Sequence, residues 1–282
     1  GRLMLTLVQI ELYKIFKKWR SYIGFIAITG LVVIIQVAIS IEGSRTLNFA
    51  TRNLQQSFVF VGNFLNGYLV SQIILNALFL HIPFFIALVA GDLMAGEATG
   101  GTYRMIITRP VSRFSIVTAK YLAGIIYTTL LILWLAIMSL GLGMFLFGKG
   151  ELLSLQSNAL VIFARDDIFW RFLCAYGFAI VSMSVVSSLA FLFSSLVENS
   201  IGPIITTMAI IIAFFIISAI DVSIFQTIKP YLFTNYIGGW KAFFNKPPDY
   251  SSVLKSLMVL GIHLVVLYGL ALYLFRRKDI LT

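Results

Sequence analysis

The segment Gly91-Asp-Leu-Met-Ala-Gly-Glu-Ala-Thr-Gly-Gly-Thr-Tyr-Arg-Met-Ile-Ile-Thr-Arg-Pro-Val-Ser-Arg113 is a short polar and basic island between two long apolar runs. Glycines lie before residues 102–108 and Pro110 lies after them. Because glycine and proline end helices, this predicts one or two exposed helical turns in between. Mixed charge on such turns favours contact with a protein partner. An ordinary connecting loop is the alternative interpretation.

The composition of the chain indicates a protein that is embedded in a lipid membrane. Of the 282 residues, 60% are hydrophobic and only 11% are charged, whereas a soluble domain carries roughly a quarter charged residues. The net charge is +10. Because the cations flank apolar runs, they indicate membrane topology or contact with anionic lipid headgroups, and we do not expect nucleic-acid binding.

Continuous apolar runs define the fold. Each run has the length of about 20 residues or more that a helix needs to cross a bilayer. They cover residues 22–41, 68–91, 116–147, 169–197, 202–220 and 255–275. The predicted fold class is therefore all-α, a polytopic membrane protein whose six transmembrane helices form a single transmembrane domain. We expect the first run to be a retained anchor, because no small-residue cleavage site follows it.

The distribution of cations predicts the orientation. More than half of the 21 Lys and Arg residues lie in the N-terminal tail, in residues 92–120 and in the C-terminal tail. The positive-inside rule then places both termini and the segment 92–113 in the cytoplasm. Residues 221–254 become an extracellular segment, whose many aromatic residues suit the outer membrane interface.

Residues 9–20 form an amphipathic pattern. Apolar positions fall near one helical face and charged positions largely on the other, which predicts a helix lying on the inner leaflet before the first span. The apolar set is Ile10, Leu12, Tyr13, Phe16 and Trp19, and the charged set is Glu11, Lys14, Lys17, Lys18 and Arg20. A simple basic flank that sets topology is the alternative.

Polar residues inside the spans have two interpretations. Gln72 and Asn76 share a helical face, so they line a pathway or form hydrogen bonds between helices. His81 lies two residues before Pro83 and could contact a backbone carbonyl freed by that proline. The stripe of Ser184, Ser188 and Ser195 favours helix packing over substrate contact.

The sequence lacks the residues that several function classes require. No acidic residue lies in the middle of a span, which argues against ion-coupled secondary transport. The two histidines, His81 and His263, are far apart, and no metal-binding motif or catalytic residue is apparent. Residues 143–150 resemble a phosphate-binding loop but end in Gly150, which cannot supply the hydroxyl that such a loop needs.

The complete arrangement resembles a known family. An amphipathic basic helix precedes six spans, and the bridge between spans two and three reads Glu97-Ala-Thr-Gly-Gly-Thr-Tyr-Arg-Met-Ile-Ile-Thr-Arg-Pro-Val-Ser-Arg113, with Lys120 shortly after. The chain ends in Leu274-Phe-Arg-Arg-Lys-Asp-Ile-Leu281. Over its whole length the chain resembles the permease subunit of ABC type-2 exporters.

This resemblance implies partners and contact residues. A second permease copy, identical or paralogous, and two separate ATPase subunits complete the exporter. ATP and Mg²⁺ are bound by the ATPase subunits, so this chain binds no cofactor and is not itself an enzyme. Residues 9–20 correspond to the elbow helix, with Glu11, Lys14, Lys17 and Lys18 as ATPase contacts. A short cytoplasmic coupling helix between spans two and three supplies Glu97, Thr102, Tyr103, Arg104, Met105 and Arg109 as further ATPase contacts.

The resemblance also implies a path between the two permeases. Its candidate lining residues are Gln72, Asn76, Thr206 and Thr207. The expected location is the plasma membrane of a prokaryote, among membrane lipids, and the expected substrate is amphiphilic, lipid-like or a peptide. The alternatives are an ATPase-coupled scaffold or mechanotransmitter that exports nothing, and a secondary transporter or membrane-embedded enzyme.

Overall fold

The computed structural model describes residues 2–55, 64–100, 111–156 and 159–277. In chain order the α-helices are α1 (Arg2–Lys17), α2 (Arg20–Gln55), α3 (Gly67–Leu78), α4 (Ile82–Ala90), α5 (Asp92–Thr99), α6 (Arg113–Ala136), α7 (Leu142–Phe147), α8 (Phe169–Leu196), α9 (Ile201–Ala219), α10 (Ser223–Ile228) and α11 (Tyr250–Arg277). A π-helical turn, Ile137–Gly141, joins α6 to α7, and short 3-10 helices cover Arg165–Asp167, Lys229–Tyr231, Phe233–Asn235 and Ile237–Phe244.

The chain is a mainly helical, multi-pass membrane protein. Within the described ranges, six helical segments are long and apolar enough to cross a bilayer. These segments are Arg20–Thr46, Ile82–Thr99, Arg113–Phe147, Arg165–Leu196, Ile201–Ala219 and Tyr250–Arg277. The prediction of a helical polytopic protein is thereby confirmed. The structure adds a short antiparallel hairpin of β1 (Leu152–Gln156) and β2 (Ala159–Phe163), paired from Leu152–Phe163 to Gln156–Ala159.

The helices run alternately between two ends of the bundle. At one end α1 meets α5 and the start of α6; we call this the charged end. At the other end the start of α3 meets the loop before β1, since the Asn66 side-chain amide donates to the Glu151 carbonyl at 2.7 Å. We call this the hairpin end.

The predicted span 68–91 is a helix interrupted at residues 79–81, between α3 and α4. Pro83 lies in the first turn of α4, and a proline has no N–H and its ring clashes with the preceding turn. Nδ1 of His81 lies 3.0 Å from the Ala77 carbonyl oxygen. This carbonyl lies one turn before His81 and is not that of Phe79, whose usual helical donor Pro83 lacks, so the contact differs from the one expected from the sequence.

Helix α8 forms the centre of the bundle, and it contacts α4, α6, α9 and α11. Its serines are buried at helix interfaces. The Ser188 hydroxyl lies 2.9 Å from the Tyr121 hydroxyl of α6, and the Ser184 and Ser188 hydroxyls also donate to carbonyls one turn earlier in α8. Small side chains let the helices approach closely, so the serine stripe serves helix packing.

The segment between α9 and α11 packs into the protein at the hairpin end. Phe233, Trp240, Phe243 and Phe244 are buried, and Trp240 lies against Phe79 and Phe244. From the sequence, these aromatic residues are expected at the outer membrane interface. In the structure only part of the aromatic set, such as Tyr231, is exposed, because α8 and α11 provide an apolar surface that covers the rest.

Arg171 holds this segment in place. Its guanidinium donates to the carbonyl oxygens of Phe243 and Asn245, at 2.5 and 2.9 Å, and to the Asp167 carboxylate at 2.8 Å. The same group lies over the ring of Phe163 in β2, 4.7 Å from its centre. One buried side chain therefore connects α8, the hairpin and the segment before α11.

Candidate functional site

The candidate site is a network of ion pairs at the charged end, centred on Lys120 of α6. The Lys120 ammonium lies 2.7 Å from Oε2 of Glu11 and 3.0 Å from Oε1 of Glu97. Its side chain is 2% exposed. A buried ammonium is costly unless carboxylates and hydrogen bonds compensate it, and here two carboxylates from two other helices do so.

Lys14 closes the network on the side of α1. Its ammonium lies 2.9 Å from Oε1 of Glu11 and 2.9 Å from Oε1 of Glu97. Burial lowers the pKa of Lys14, but the hydrogen bonds to Glu97 and Glu11 outweigh it and raise the pKa above its usual value. Lys14 is therefore charged at neutral pH, and two lysines and two glutamates join α1, α5 and α6.

Asp92, the first residue of α5, forms a second group of ion pairs. Its carboxylate lies 2.6 Å from the Lys18 ammonium and 3.1 Å from the Arg20 guanidinium. A carboxylate at a helix N-terminus is also favoured by the helix dipole. Gly96 leaves room for this side chain, because a Cβ at that position would lie 2.7 Å from Oδ1 of Asp92. The turn between α1 and α2 is thus tied to α5.

Helix α5 is held from the opposite side by the end of α8. The Ser194 hydroxyl accepts hydrogen bonds from the backbone N–H groups of Met94 and Ala95, at 3.0 and 2.9 Å. These groups belong to the first turn of α5, where N–H groups have no partner inside the helix. The Thr99 hydroxyl lies 2.7 Å from the Glu198 carbonyl oxygen. The short helix is therefore fixed between α1 and α8.

A cavity of about 320 Å³ lies between α1 and α5. The members of both ion-pair groups line it, together with Lys17 and a few apolar residues of α1 and α5. Gly100, the residue before the segment 101–110, is also among its lining residues. The cavity shows that the network is a contact between helices at an accessible surface and not part of the apolar core.

Helix α1 turns part of its charged face toward the protein. Val8, Glu11 and Ile15 face the protein, whereas Ile10 and Tyr13 are exposed. The helix also begins at Arg2, seven residues before the predicted segment 9–20. The reason is the ion-pair network, because Glu11 must point inward to reach Lys120. The apolar residues on the outer side are then available to lipid.

The predicted ATPase-contact residues fall into two sets. Glu11, Lys14, Lys18 and Glu97 are members of the ion-pair groups, and Lys17 lines the adjoining cavity. The remaining predicted contacts lie outside the described residues: Thr102, Tyr103, Arg104, Met105 and Arg109. Sequence reasoning did not identify Lys120, Asp92 and Arg20 as members. The available signal was Lys120 itself, a cation inside an apolar run that requires a compensating charge.

The predicted path residues are not brought together within one chain. Gln72 is half-buried and Asn76 is exposed, both on α3, which starts at the hairpin end. Thr206 is exposed on α9 near its start at the charged end. Thr207 is buried, and its hydroxyl donates to the Pro203 carbonyl at 2.6 Å. The Thr207 side chain therefore bonds within its own helix, whereas Asn76 and Thr206 are exposed on the outside of the bundle.

Comparison with known proteins finds one bacterial relative and one family model. It is 26% identical over 206 residues to the uncharacterized protein YhcI of Bacillus subtilis strain 168. The match covers 70% of this chain, and the chain spans 64% of the length of that relative. A family model described as "Protein of unknown function (DUF2705)" matches residues 29–281. This match covers most of the six-helix region, and the chain belongs to the DUF2705 family.

Proposed function

We propose that this chain is the transmembrane permease subunit of an ATP-driven exporter. A second permease copy would complete the path, and two separate ATPase subunits would supply the energy. The observation that supports the proposal best is the ion-pair network, which joins a helix outside the spans to the helix that precedes residues 101–110. Such an arrangement suits a chain that receives force from a partner at this end.

The network would transmit that force as one unit. A displacement of residues 101–110 by a partner acts first on α5, whose Glu97 and Asp92 are ion-paired to α1 and to the turn before α2. Lys120 carries the same displacement to α6. Because packed helices switch between discrete arrangements, a small shift at this end is converted into a rearrangement of the spans.

The finer assignments of the proposal follow from the same resemblance. Helix α1 takes the place of the elbow helix, and residues from Glu97 through the segment 101–110 take the place of the coupling helix. The charged end then faces the cytoplasm of a prokaryotic cell, with both termini on that side. The substrate class that suits the apolar spans is an amphiphile, a lipid-like molecule or a peptide.

A charge reversal in the coupling segment tests the proposal. Arg104→Glu should abolish the stimulation of a partner ATPase by this chain, because the segment would no longer fit the surface of that ATPase. Membrane insertion should be unchanged. The matched control is Lys241→Glu, which reverses an exposed charge at the hairpin end and should leave stimulation intact. Normal stimulation by Arg104→Glu would contradict the assignment.

A further inference from the structure

A second, more open groove lies at the charged end, beside the cavity of the ion-pair network. It has a volume of about 680 Å³ and runs between the turn from α1 to α2 and the helices α4 and α5. Lys18, Trp19, Arg20, Ile23, Leu88 and Thr99 are among its lining residues. Arg20 and Thr99 are the terminal residues of two membrane-crossing segments. The groove therefore lies at the level where hydrocarbon gives way to headgroups.

The lining of the groove changes from apolar to cationic along its length. Ile23 and Leu88 belong to the spans and provide a hydrocarbon surface, whereas Lys18 and Arg20 provide charge at the membrane boundary. Trp19, which lies between the two cations in the chain, also lines the groove and is 72% exposed. An indole with one wet and one apolar side is typical of the membrane interface. This order of groups matches a molecule with a charged head and apolar tails.

The charge of the groove favours an anion. Lys18 and Arg20 share the single carboxylate of Asp92, and their side chains are still 52% and 41% exposed. An ammonium has three donors and a guanidinium five, so both groups retain donors for a further ligand. Exposed Lys17, which forms no ion pair with the residues that the structure describes, lines the adjoining cavity.

We propose that this groove binds an anionic phospholipid. Its phosphate lies against Lys18 and Arg20, and its acyl chains follow Ile23 and Leu88. The exposed indole and the apolar wall favour a lipid over a free phosphate ion, which would leave both without a contact. The proposal does not depend on the exporter assignment, because it concerns only groups of this chain and the membrane.

The lipid phosphate and the Asp92 carboxylate compete for the same two cations. A bound anionic lipid therefore weakens the hold of the α1–α2 turn on α5. Removing the Asp92 charge frees both cations and should therefore increase the binding of anionic lipid. Removing the charges of Lys18 and Arg20 should abolish it. This competition gives the test two variants with opposite expected results.

Quenching of Trp19 by brominated lipids measures occupancy directly. The complete chain is reconstituted in phosphatidylcholine vesicles with a minor fraction of brominated phosphatidylglycerol, or with the same fraction of brominated phosphatidylcholine. The difference in quenching between the wild-type chain and Trp19→Phe isolates Trp19 from the other three tryptophans. Brominated phosphatidylglycerol should be enriched at Trp19 about fivefold or more, since each Lys or Arg near an anionic surface contributes a preference of that order.

The cation variants decide the proposal. Lys18→Gln with Arg20→Gln should remove the enrichment, and Asp92→Asn should increase it. The matched control is Arg276→Gln with Arg277→Gln, which removes two cations at the same end of the bundle, outside the groove, and should retain the enrichment. If the double variant misfolds around an unpaired Asp92, the triple variant with Asp92→Asn has no such carboxylate and should also show no enrichment.

Two results would overturn the proposal. Enrichment that persists in a folded variant lacking both Lys18 and Arg20 charges would show that the groove does not select the anionic lipid. Loss of enrichment when inorganic phosphate is added to the wild-type chain would show that the cations bind a free anion instead of a lipid. The expected result is enrichment that is unchanged by inorganic phosphate.

Discussion

The ammonium of Lys120 and the carboxylate of Glu11 lie 2.7 Å apart, although 109 positions separate the two residues in the chain. Each side chain belongs to a different helix, and the pair is buried. This contact decides which face of α1 points toward the protein. It also connects the N-terminal helix α1 to α6, a span far along the chain. It is therefore the contact through which α1 is fixed to the spans at the charged end.

Removal of the Lys120 charge should release α1. We expect Lys120→Met to lower the free energy of unfolding by about 3–5 kcal/mol, because it leaves two nearly buried carboxylates with Lys14 alone. Unfolding in mild detergent, followed by circular dichroism, measures the loss. The triple variant Lys120→Met, Glu11→Gln, Glu97→Gln should recover much of it, since a neutral replacement of a buried ion pair is tolerated.

The control for this variant is Arg45→Met, which breaks an exposed pair with Glu42. Exposed pairs contribute little to stability, so the unfolding curve should hardly move. Equal losses in the Lys120 and Arg45 variants would show that the network at the charged end is only a surface feature.

The close approach of α3 to α7 at Gly67 should not tolerate a methyl group. A Cβ on Gly67, the first residue of α3, would lie 2.5 Å from the backbone N and Cα of Met144 in α7. Gly67→Ala should therefore lower the free energy of unfolding by about 1–3 kcal/mol through overpacking. Gly30→Ala in α2 meets no atom within 4 Å, and it should be neutral or slightly stabilising. A neutral Gly67→Ala would contradict this close contact.

Lysine should not replace Arg171. The guanidinium bonds to the backbone carbonyls of Asp167, Phe243 and Asn245 and to the Asp167 carboxylate, and an ammonium lacks the planar fork that such contacts need. In Arg171→Lys we expect faster amide hydrogen exchange in residues 237–249, with no change in α5. Lys241→Met, a change of an exposed cation in the same segment, should leave exchange unaltered. Unchanged exchange in Arg171→Lys would mean that aromatic packing alone holds the segment.

Cysteine labelling tests the proposed path. In a background with Cys174→Ala, we expect a membrane-impermeant thiol reagent to modify Asn76→Cys and Thr206→Cys in the assembled complex, because a thiolate forms only where water is present. Thr207→Cys, at a buried position, and Ile262→Cys, at an exposed apolar position of α11, should both stay unmodified. If Asn76→Cys and Thr206→Cys react no faster than Ile262→Cys, those positions face lipid and do not line a path.

The sequence predicts the membrane-crossing helices well because continuous apolar runs leave few alternatives in lipid. It predicts their ends less well. Helix α2 continues to Gln55, beyond the apolar run that ends near residue 41, since no proline interrupts the polar residues that follow. The break at residues 79–81 follows from Pro83, whereas the hairpin of β1 and β2 consists of two five-residue strands too short to distinguish from a loop.

The candidate site is only half predictable for a physical reason. The amphipathic pattern identifies Glu11, Lys14 and Lys18 as polar residues of one helix. It contains no information on which distant helix supplies Lys120 or Glu97, because ion pairs across 83 or 109 positions leave no local pattern. The pattern places Glu11 on the charged face of α1, and the compensating charge of Lys120 on α6 draws that side chain toward the protein.

The most direct test of the central claim is isolation of the chain in mild detergent, followed by mass analysis of the complex and an ATPase assay. The proposed function predicts two permease copies with two ATPase subunits and ATP hydrolysis that depends on this chain. A folded chain that is isolated without an ATPase subunit, under conditions that preserve the ion-pair network, would contradict the proposal and favour a secondary transporter or a membrane-embedded enzyme.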